Sequence, residues 1–586
     1  MKCESEGMNN LQDDRPMDWH GPDDPDNPRN FSLGMKLLGI SSVTLLAFVS
    51  AFAGAIYAPA QEEVMKAMGC SSEVAMLPLS LNNLGMAFGP IIGAPLSEKY
   101  GRKAVYLATT PIFILFMVGA AVSQTISGLI LCRFFAAIFG SPNISNASAT
   151  ILDYTHDTDR GSVLAVYYAI PTLAATVAPL AGGFVMIQTD DWRWTQWVPI
   201  ILAGVLYCSV LFTKETYKAV ILRRRANRLG VESGASRKTT AGQDVQHFIV
   251  VLFLRPMHML FTEPIVSLVS LYNGLLFGLL YAFVTSISWV FSHYYGFGRT
   301  GQALSYLGVT IGNLIACVPQ VLIDRFYFQP RLRAWKQTHG SDARMPPEAR
   351  LVSAMIGSVL LPAALLILSW TANFRVHWIV PIIFQGLSMF SCLLIYTGAG
   401  LFMLDTYGPL YGASASGAMM FSRYFLSCAF PLFTLQMFEA LGVGWATTLL
   451  ALLTLLLAPI PWIFWVYGPR IRKASKYETT SNNLTDTRYR VHVLLHDPEN
   501  LYASDSQKRL DKVSDLSYFG EPYFTSEEAT TIKNTMIEGQ TVEHLIEERL
   551  RERLERRNKK RTGSGDSHCV RLRTELQFLG ACWALI

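Results

Sequence analysis

Long apolar runs alternate with short polar breaks from about residue 37 to residue 467. The runs fall at 37–58, 75–96, 104–123, 126–150, 162–187, 194–213, 264–291, 301–323, 351–371, 377–404, 412–438 and 443–467. Each is near the ~20 apolar residues a helix needs to cross ~30 Å of hydrocarbon. So many runs of that length cannot all be core helices of a soluble protein, and the pattern predicts about twelve transmembrane helices. The residues before the first run are polar and acidic, with Pro22, Pro25 and Pro28 opposing a helix. No cleavable signal peptide is visible there. The first run is therefore expected to act as an uncleaved anchor, leaving the N-terminus in the cytosol.

The spacing of the runs predicts an all-α membrane protein of two six-helix bundles with polar tails. Residues 1–36 read as a disordered cytosolic tail, 37–213 as the first six-span bundle and 214–262 as a cytosolic connector. Residues 263–469 read as the second bundle and 470–586 as a polar cytosolic tail. Two six-span halves joined by a long loop are a repeat architecture. A weak internal echo agrees: Asp324-Arg325 follows run eight where Glu98-Lys99 follows run two. In the C-terminal tail, Val542, Leu545, Ile546, Leu550 and Leu554 form a narrow apolar stripe at helical spacing within the charged stretch 538–561.

Composition supports the membrane reading. The chain of 586 residues is 51% hydrophobic and 16% charged, against roughly a quarter charged in soluble proteins. Its formal charge of +5 is concentrated in alternate loops. One set carries Lys99, Arg102, Lys103, Arg160, Lys214, Lys218, Arg223, Arg224, Arg225, Arg228, Arg325, Arg331, Arg333, Lys336, Arg344 and Arg350. The other offers little beyond Lys66, Arg193, Arg299 and Arg375. This asymmetry places the basic loops, and with them both termini, in the cytosol. The basic clusters are juxtamembrane, which argues for anionic lipid and against nucleic acid. The nine cysteines give neither a disulfide framework nor a metal-ligand spacing with histidine. No nucleotide-binding loop and no nucleophile–base set is present. An enzyme, a cofactor and a metal are therefore not expected.

The densest chemistry lies in Gly93-Ala94-Pro95-Leu96-Ser97-Glu98-Lys99-Tyr100-Gly101-Arg102-Lys103. It puts an acid, a tight turn and a cationic cluster between runs two and three. Gly101 permits a turn beside the membrane, and Arg102 and Lys103 can meet headgroups or helix C-termini. Other motifs accompany it: Asp18-Trp19-His20-Gly21-Pro22-Asp23-Asp24-Pro25-Asp26-Asn27-Pro28 in the tail, and Ile56-Tyr57-Ala58-Pro59-Ala60 after run one. Arg133-Phe134-Phe135 with Gly140-Ser141 lies in run four, and Pro179-Leu180-Ala181-Gly182-Gly183-Phe184 in run five. Lys214-Glu215-Thr216-Tyr217 follows run six. Together these resemble the major facilitator superfamily, and within it the fungal drug:proton antiporter branch with twelve spans. The resemblance covers roughly 18–473.

The resemblance implies a gating loop at Gly93, Glu98, Gly101, Arg102 and Lys103, with Asp153 at the end of span four as its partner. It implies an antiporter-type motif at Pro179, Gly182 and Gly183. The family's first loop glycine falls here on Ala94, with Gly93 one residue early, which leaves close packing at that point in doubt. It also implies that Arg133 lines the central cavity and tunes proton coupling. An arginine at a helix centre costs roughly 2.5–3.5 kcal/mol on insertion scales, so it must face the interior or pair, and pairing with carbonyls is the alternative. Arg423 in span eleven bears the same cost and is expected to be structural, because span eleven does not usually line the cavity in this fold. No Asp or Glu lies deep in a span. Asp153 and Glu263, both at span ends, are the proton-coupling candidates beside Arg133. Spans one, four, seven and ten offer Phe52, Tyr57, Asn143, Tyr272, Asn273, Tyr281, Gln385 and Tyr396 to a cavity that suits a mid-sized, mostly uncharged ligand. The expected function is export of small organic molecules, xenobiotics or a secondary metabolite, from the cell membrane by proton antiport. The expected partners are that substrate, protons and the bilayer, and the expected state is a monomer. Import of a nutrient or polyamine in the same fold, a sensor acting through its tail, and residence in a vacuolar or other internal membrane are the competing readings.

Overall fold

The computed structural model of the chain describes residues 19, 21, 23–155, 160–229, 254–339, 345–475, 477, 517–518 and 521–522. The chain divides into two units, Met1–Ser481 and Asn482–Ile586. In the second unit the described residues are a two-residue antiparallel pair, Ser517–Tyr518 with Glu521–Pro522. The stripe expected at 538–561 lies outside the described residues.

The first unit is helical and follows the apolar runs closely. Its first six spans are Leu33–Ala55, Ser72–Tyr100, Arg102–Ala121, Ile126–Tyr154, Arg160–Thr189 and Trp194–Leu211. Span seven is Pro264–Tyr295, span eight joins Arg299–Ser305 to Leu307–Leu322, and span nine is Val352–Asn373. A continuous stretch, Ile379–Leu457, holds spans ten to twelve and breaks at Gly408 and Gly442, where φ is 57° and 73°. Ile460–Ala474 prolongs span twelve. Among the described residues, ten helical stretches are long and apolar enough to cross a membrane. One of these, Tyr411–Ala474, contains the break at Gly442 and so two crossings. The 29-residue helix Ser72–Tyr100 supplies one more.

Some features were not legible as apolar runs. A short helix, Gln61–Met68, follows span one and ends at the left-handed Gly69. Span eight continues through a π-helical turn, Ile323–Phe328, into Gln329–His339. The connector contributes two helices, Lys218–Leu229 and Arg255–Thr262. Residues 23–32, part of the tail expected from sequence to be disordered, form turns and a short 3-10 helix, Pro28–Asn30. Asp24 is buried, and its two carboxylate oxygens each accept from the Arg225 guanidinium at 2.8 Å. Asp26 accepts from the same guanidinium at 2.5 Å, so the tail holds the connector helix.

Small residues set the packing inside the first bundle. Gly85, Gly89 and Gly93 recur every fourth residue and form one ridge of span two. A Cβ on Gly85 would meet the Phe134 carbonyl oxygen at 2.5 Å, and one on Gly89 the Ser141 Cβ at 2.1 Å. One on Gly93 would meet the Pro142 Cβ at 2.8 Å. Spans two and four therefore touch backbone to backbone, and Gly93 makes the close approach despite the alanine at position 94.

The two bundles meet along spans two and eleven and along spans five and eight. Hydrogen bonds within the seam include Asn83 Nδ2 to Ser427 O at 3.0 Å, Thr310 Oγ1 to Thr176 O at 3.2 Å, and Thr172 Oγ1 to Asn313 Oδ1 at 3.3 Å. At the end of the molecule away from the basic loops, Arg299 of the second bundle pairs with Asp190 at 3.0 Å and Glu63 at 3.3 Å, both of the first.

Candidate functional site

The loop between spans two and three is a single residue, Gly101, with φ 105° and ψ 157°. That conformation favours glycine. Space enforces the same choice, since a Cβ there would lie 2.2 Å from a Glu215 carboxylate oxygen. Glu215 is buried and accepts from four backbone N–H groups: Arg102 at 2.8 Å, Lys103 at 3.3 Å, Thr216 at 3.0 Å and Tyr217 at 3.0 Å. It thus satisfies the first orphan donors of span three and faces the positive end of that helix dipole. Lys103 does the reverse for span six, donating to Leu211 O at 2.8 Å and Thr213 O at 2.7 Å. Arg102 donates to Ser97 Oγ at 2.5 Å, lies 3.7 Å from Asp153 Oδ2, and stacks 4.9 Å over the Tyr217 ring. Thr216 Oγ1 donates to the same Asp153 oxygen at 3.0 Å. The expected gating residues Gly101, Arg102, Lys103 and Asp153 are therefore one cluster, while Glu98 is exposed beside it. Glu215 is the member that sequence reasoning passed over, although it stood inside a quoted motif.

The second bundle has a matching cluster. Arg350, at the start of span nine, donates to Asp324 at 2.7 Å and to Asp405, near the end of span ten, at 3.0 Å. Arg472 pairs with the buried Glu348. Glu263 is buried at the start of span seven, accepting from Ser475 Oγ at 2.6 Å and Tyr407 OH at 3.1 Å.

Arg133 is wholly buried, and neutral acceptors hold it. Its Nε donates to Pro78 O at 3.1 Å and Nη1 to Gln196 Oε1 at 2.7 Å. Its Nη2 donates to Ala53 O at 3.1 Å and Gly54 O at 2.8 Å. The Tyr57 ring covers the guanidinium at 4.9 Å, with Tyr57 OH donating to Ala75 O at 2.8 Å. Arg133 therefore joins spans one, two, four and six from inside the first bundle.

A small pocket lies between the bundles. Thr172, Leu276, Phe277, Leu280, Asn313, Met389, Cys392, Leu393 and Tyr396 line it, and its volume is about 20 Å³. It draws on spans five, seven, eight and ten. Of the cavity residues expected from sequence, Tyr396 is in the lining. Asn143 instead ties helices together, donating to Ser50 Oγ at 3.1 Å and accepting from Thr110 Oγ1 at 3.3 Å. Phe52 stacks on Phe48, and Asn273 Nδ2 bonds Val269 O in its own helix. Tyr281 is buried near Gly54. Tyr272 OH and Gln385 Oε1 are buried with no hydrogen-bond partner. Arg423 reaches the pocket wall from span eleven, donating from Nη1 to Tyr396 OH at 2.6 Å and from Nη2 to Tyr424 OH at 2.7 Å. The Phe277 ring lies 4.5 Å from its guanidinium carbon. A larger cleft of about 830 Å³ runs between spans eight and ten, but Leu304, Ile311, Ile315 and Ile383 on its wall are exposed apolar side chains that meet lipid.

In span five, a Cβ on Gly182 would lie 2.4 Å from Ile56 O, and one on Gly183 2.7 Å from the Ala303 Cβ. The expected antiporter-type glycines thus press span five against span one on one side and the second bundle on the other.

Residues 43–431 match the family described as Major Facilitator Superfamily. The chain is 32% identical over 495 residues to the efflux pump FUB11 of Gibberella moniliformis, covering 83% of this chain and 82% of that protein. It is 34% identical over 462 residues to the transporter traF of Penicillium crustosum, covering 79% and 93%. It is 32% identical over 488 residues to polyamine transporter 4 of Saccharomyces cerevisiae, covering 79% and 73%. Among solved structures, the proton:xylose symporter XylE superposes with a TM-score of 0.54 at 15% identity, over 75% of this chain and 96% of that one. The chain belongs to the major facilitator superfamily and is a multi-pass membrane transporter.

Proposed function

We propose that this member of the major facilitator superfamily exports small organic molecules, xenobiotics or a secondary metabolite, by alternating access driven by proton antiport. The observation that carries the reading is the pocket at the seam of two bundles, closed on one side by the Arg299 lock. At about 20 Å³ the pocket holds little more than a water, so loading and release require the bundles to part, first at one end and then at the other. The basic end faces the cytosol, in keeping with the charge asymmetry of the loops.

Each part of the basic end has a task in this cycle. Glu215, Gly101 and Lys103 fix the start of span three and the end of span six to one body, while Arg102 and Asp153 form the contact that changes. Asp153 and Glu263 are the carboxylates assigned to proton uptake. Both accept hydrogen bonds from neighbouring hydroxyls at the end where the cycle opens and closes. Arg133 serves by holding four spans in register, so that Asp153 on span four moves with the bundle. The export reading draws on the efflux-pump relatives, and the antiport reading on the span-five glycines and the edge carboxylates. The test is substrate flux in sealed vesicles under an imposed pH gradient, with and without a protonophore. Flux should follow the gradient and collapse with the protonophore, and flux that ignores both leaves facilitated diffusion in its place.

A further inference from the structure

We infer that the pocket at the seam takes substrates bearing a carboxylate or another anionic group, recognised by the hydroxyl of Tyr396 under the charge of Arg423. The inference rests on the transport reading above and names its substrate class.

The interior is unbalanced in charge. Among the described residues, the buried acids are Asp24, Glu215, Glu263, Asp324 and Glu348, and all stand on the basic face, away from mid-span. The buried charges at mid-span are Arg133 and Arg423, both arginines. A buried charge is costly unless it is paired and hydrogen-bonded. The two arginines meet that cost differently. Arg133 directs four hydrogen bonds at fixed acceptors, three of them backbone carbonyls. Arg423 bonds two tyrosine hydroxyls, and its Nε is buried without a hydrogen-bond partner. Arg133 is therefore committed to the scaffold, and Arg423 retains a charge to offer.

Tyr396 carries that charge to the pocket. Its oxygen accepts from Arg423 at 2.6 Å, and no hydrogen bond donated by its own O–H is found among the described residues. A hydroxyl that accepts from a cation is polarised into a stronger donor. Asn313 Nδ2 in the same lining is also buried and without a partner. Two lining residues thus carry an unused donor, and a cation backs one of them, Tyr396, the complement of an anionic acceptor. A polycation would instead bring its ammonium groups beside Arg423 with no carboxylate in the pocket lining to receive them.

The experiment uses the full chain purified into nanodiscs, with no pH gradient. Four probes are titrated by calorimetry at neutral pH: 2-naphthoate, its methyl ester, a naphthylmethyl trimethylammonium salt and spermidine. The acid should bind about tenfold or more tightly than the ester, as a charge-assisted hydrogen bond provides, and both cations should bind more weakly than the ester. Arg423→Gln and Tyr396→Phe should each bring the acid-to-ester ratio toward one, and Arg423→Lys should keep part of it. Tyr396→Phe preserves charge and shape, so it decides the matter if Arg423→Gln does not fold. An ester bound as tightly as the acid, spermidine bound more tightly than either, no binding of the acid, or a ratio unchanged in Tyr396→Phe would each overturn the inference. Acid preference with gradient-blind flux would instead remove only the antiport reading.

Discussion

Replacing Arg133 by Met keeps the length of the side chain and deletes the guanidinium. Four hydrogen bonds from a charged donor disappear, to Pro78 O, Gln196 Oε1, Ala53 O and Gly54 O. At the low end of the range for charged donors, about 1.5 kcal/mol each, the loss is about 6 kcal/mol. Removing an arginine from the middle of a span returns about 3 kcal/mol of its burial cost. The balance is a destabilisation of about 3 kcal/mol, or roughly a hundredfold in the folding equilibrium. Much of it should be shared with Gln196, whose buried oxygen is left without its donor. Gln196→Leu and the double variant therefore form a cycle with a coupling of about 1 kcal/mol or more. The assay is the melting of a fluorescent fusion on size-exclusion chromatography, alongside substrate flux per folded molecule. Arg133→Met should melt well below wild type, and the molecules that stay folded should retain flux. Wild-type melting together with abolished flux would refute the scaffold role and return Arg133 to proton coupling.

Other expectations follow from single contacts. Gly89→Val should leave little folded protein, because its first carbon would lie 2.1 Å from the Ser141 Cβ, whereas Gly204→Ala, with nothing within 4 Å, should fold as wild type in the same chromatography. Glu215→Ala strips an acceptor from four backbone N–H groups and should cost about 2 kcal/mol or more, read as a lower melting point. Gly101→Ala should be harmful alone and partly relieved when combined with Glu215→Ala, since the smaller side chain vacates the colliding space. Arg299→Gln breaks pairs that are largely exposed, so its stability cost should stay under about 1 kcal/mol. Its effect should appear in conformation, as faster labelling of a cysteine placed at Thr310 by a water-soluble maleimide, and an unchanged labelling rate would dismiss the lock.

The spans and the residues clustered at the span two–three loop were legible because hydrophobic length and the sequence of that loop are local signals. Glu215 was written in a recognised motif, yet two of its partners, Arg102 and Lys103, lie more than a hundred residues back, and no local pattern announces an acid that caps another helix. The ridge of Gly85, Gly89 and Gly93 was present as a four-residue repeat, but which helix it meets is decided by packing. The cavity residues were sought in spans one, four, seven and ten. The pocket draws on spans seven and ten, Tyr396 among them, and adds Thr172 from span five and Asn313 from span eight, residues whose only sequence mark is polarity at mid-span. Arg423 was assigned to structure from its span number, while its reach to Tyr396 depends on how span eleven leans on span ten.

The glycine ridge has a mechanical consequence. Two rods in backbone contact at three successive turns cannot slide or tilt against each other without collision, so spans two and four behave as a single beam. Arg133, anchored on the same beam and on spans one and six, widens it into a plate. Shear must then be taken up at the seam, where single side chains reach backbone carbonyls along the Asn83–Ser427 and Thr176–Thr310 lines. The first bundle would rock as one piece about those two lines, and its hinge would be the seam rather than any bend within its own helices.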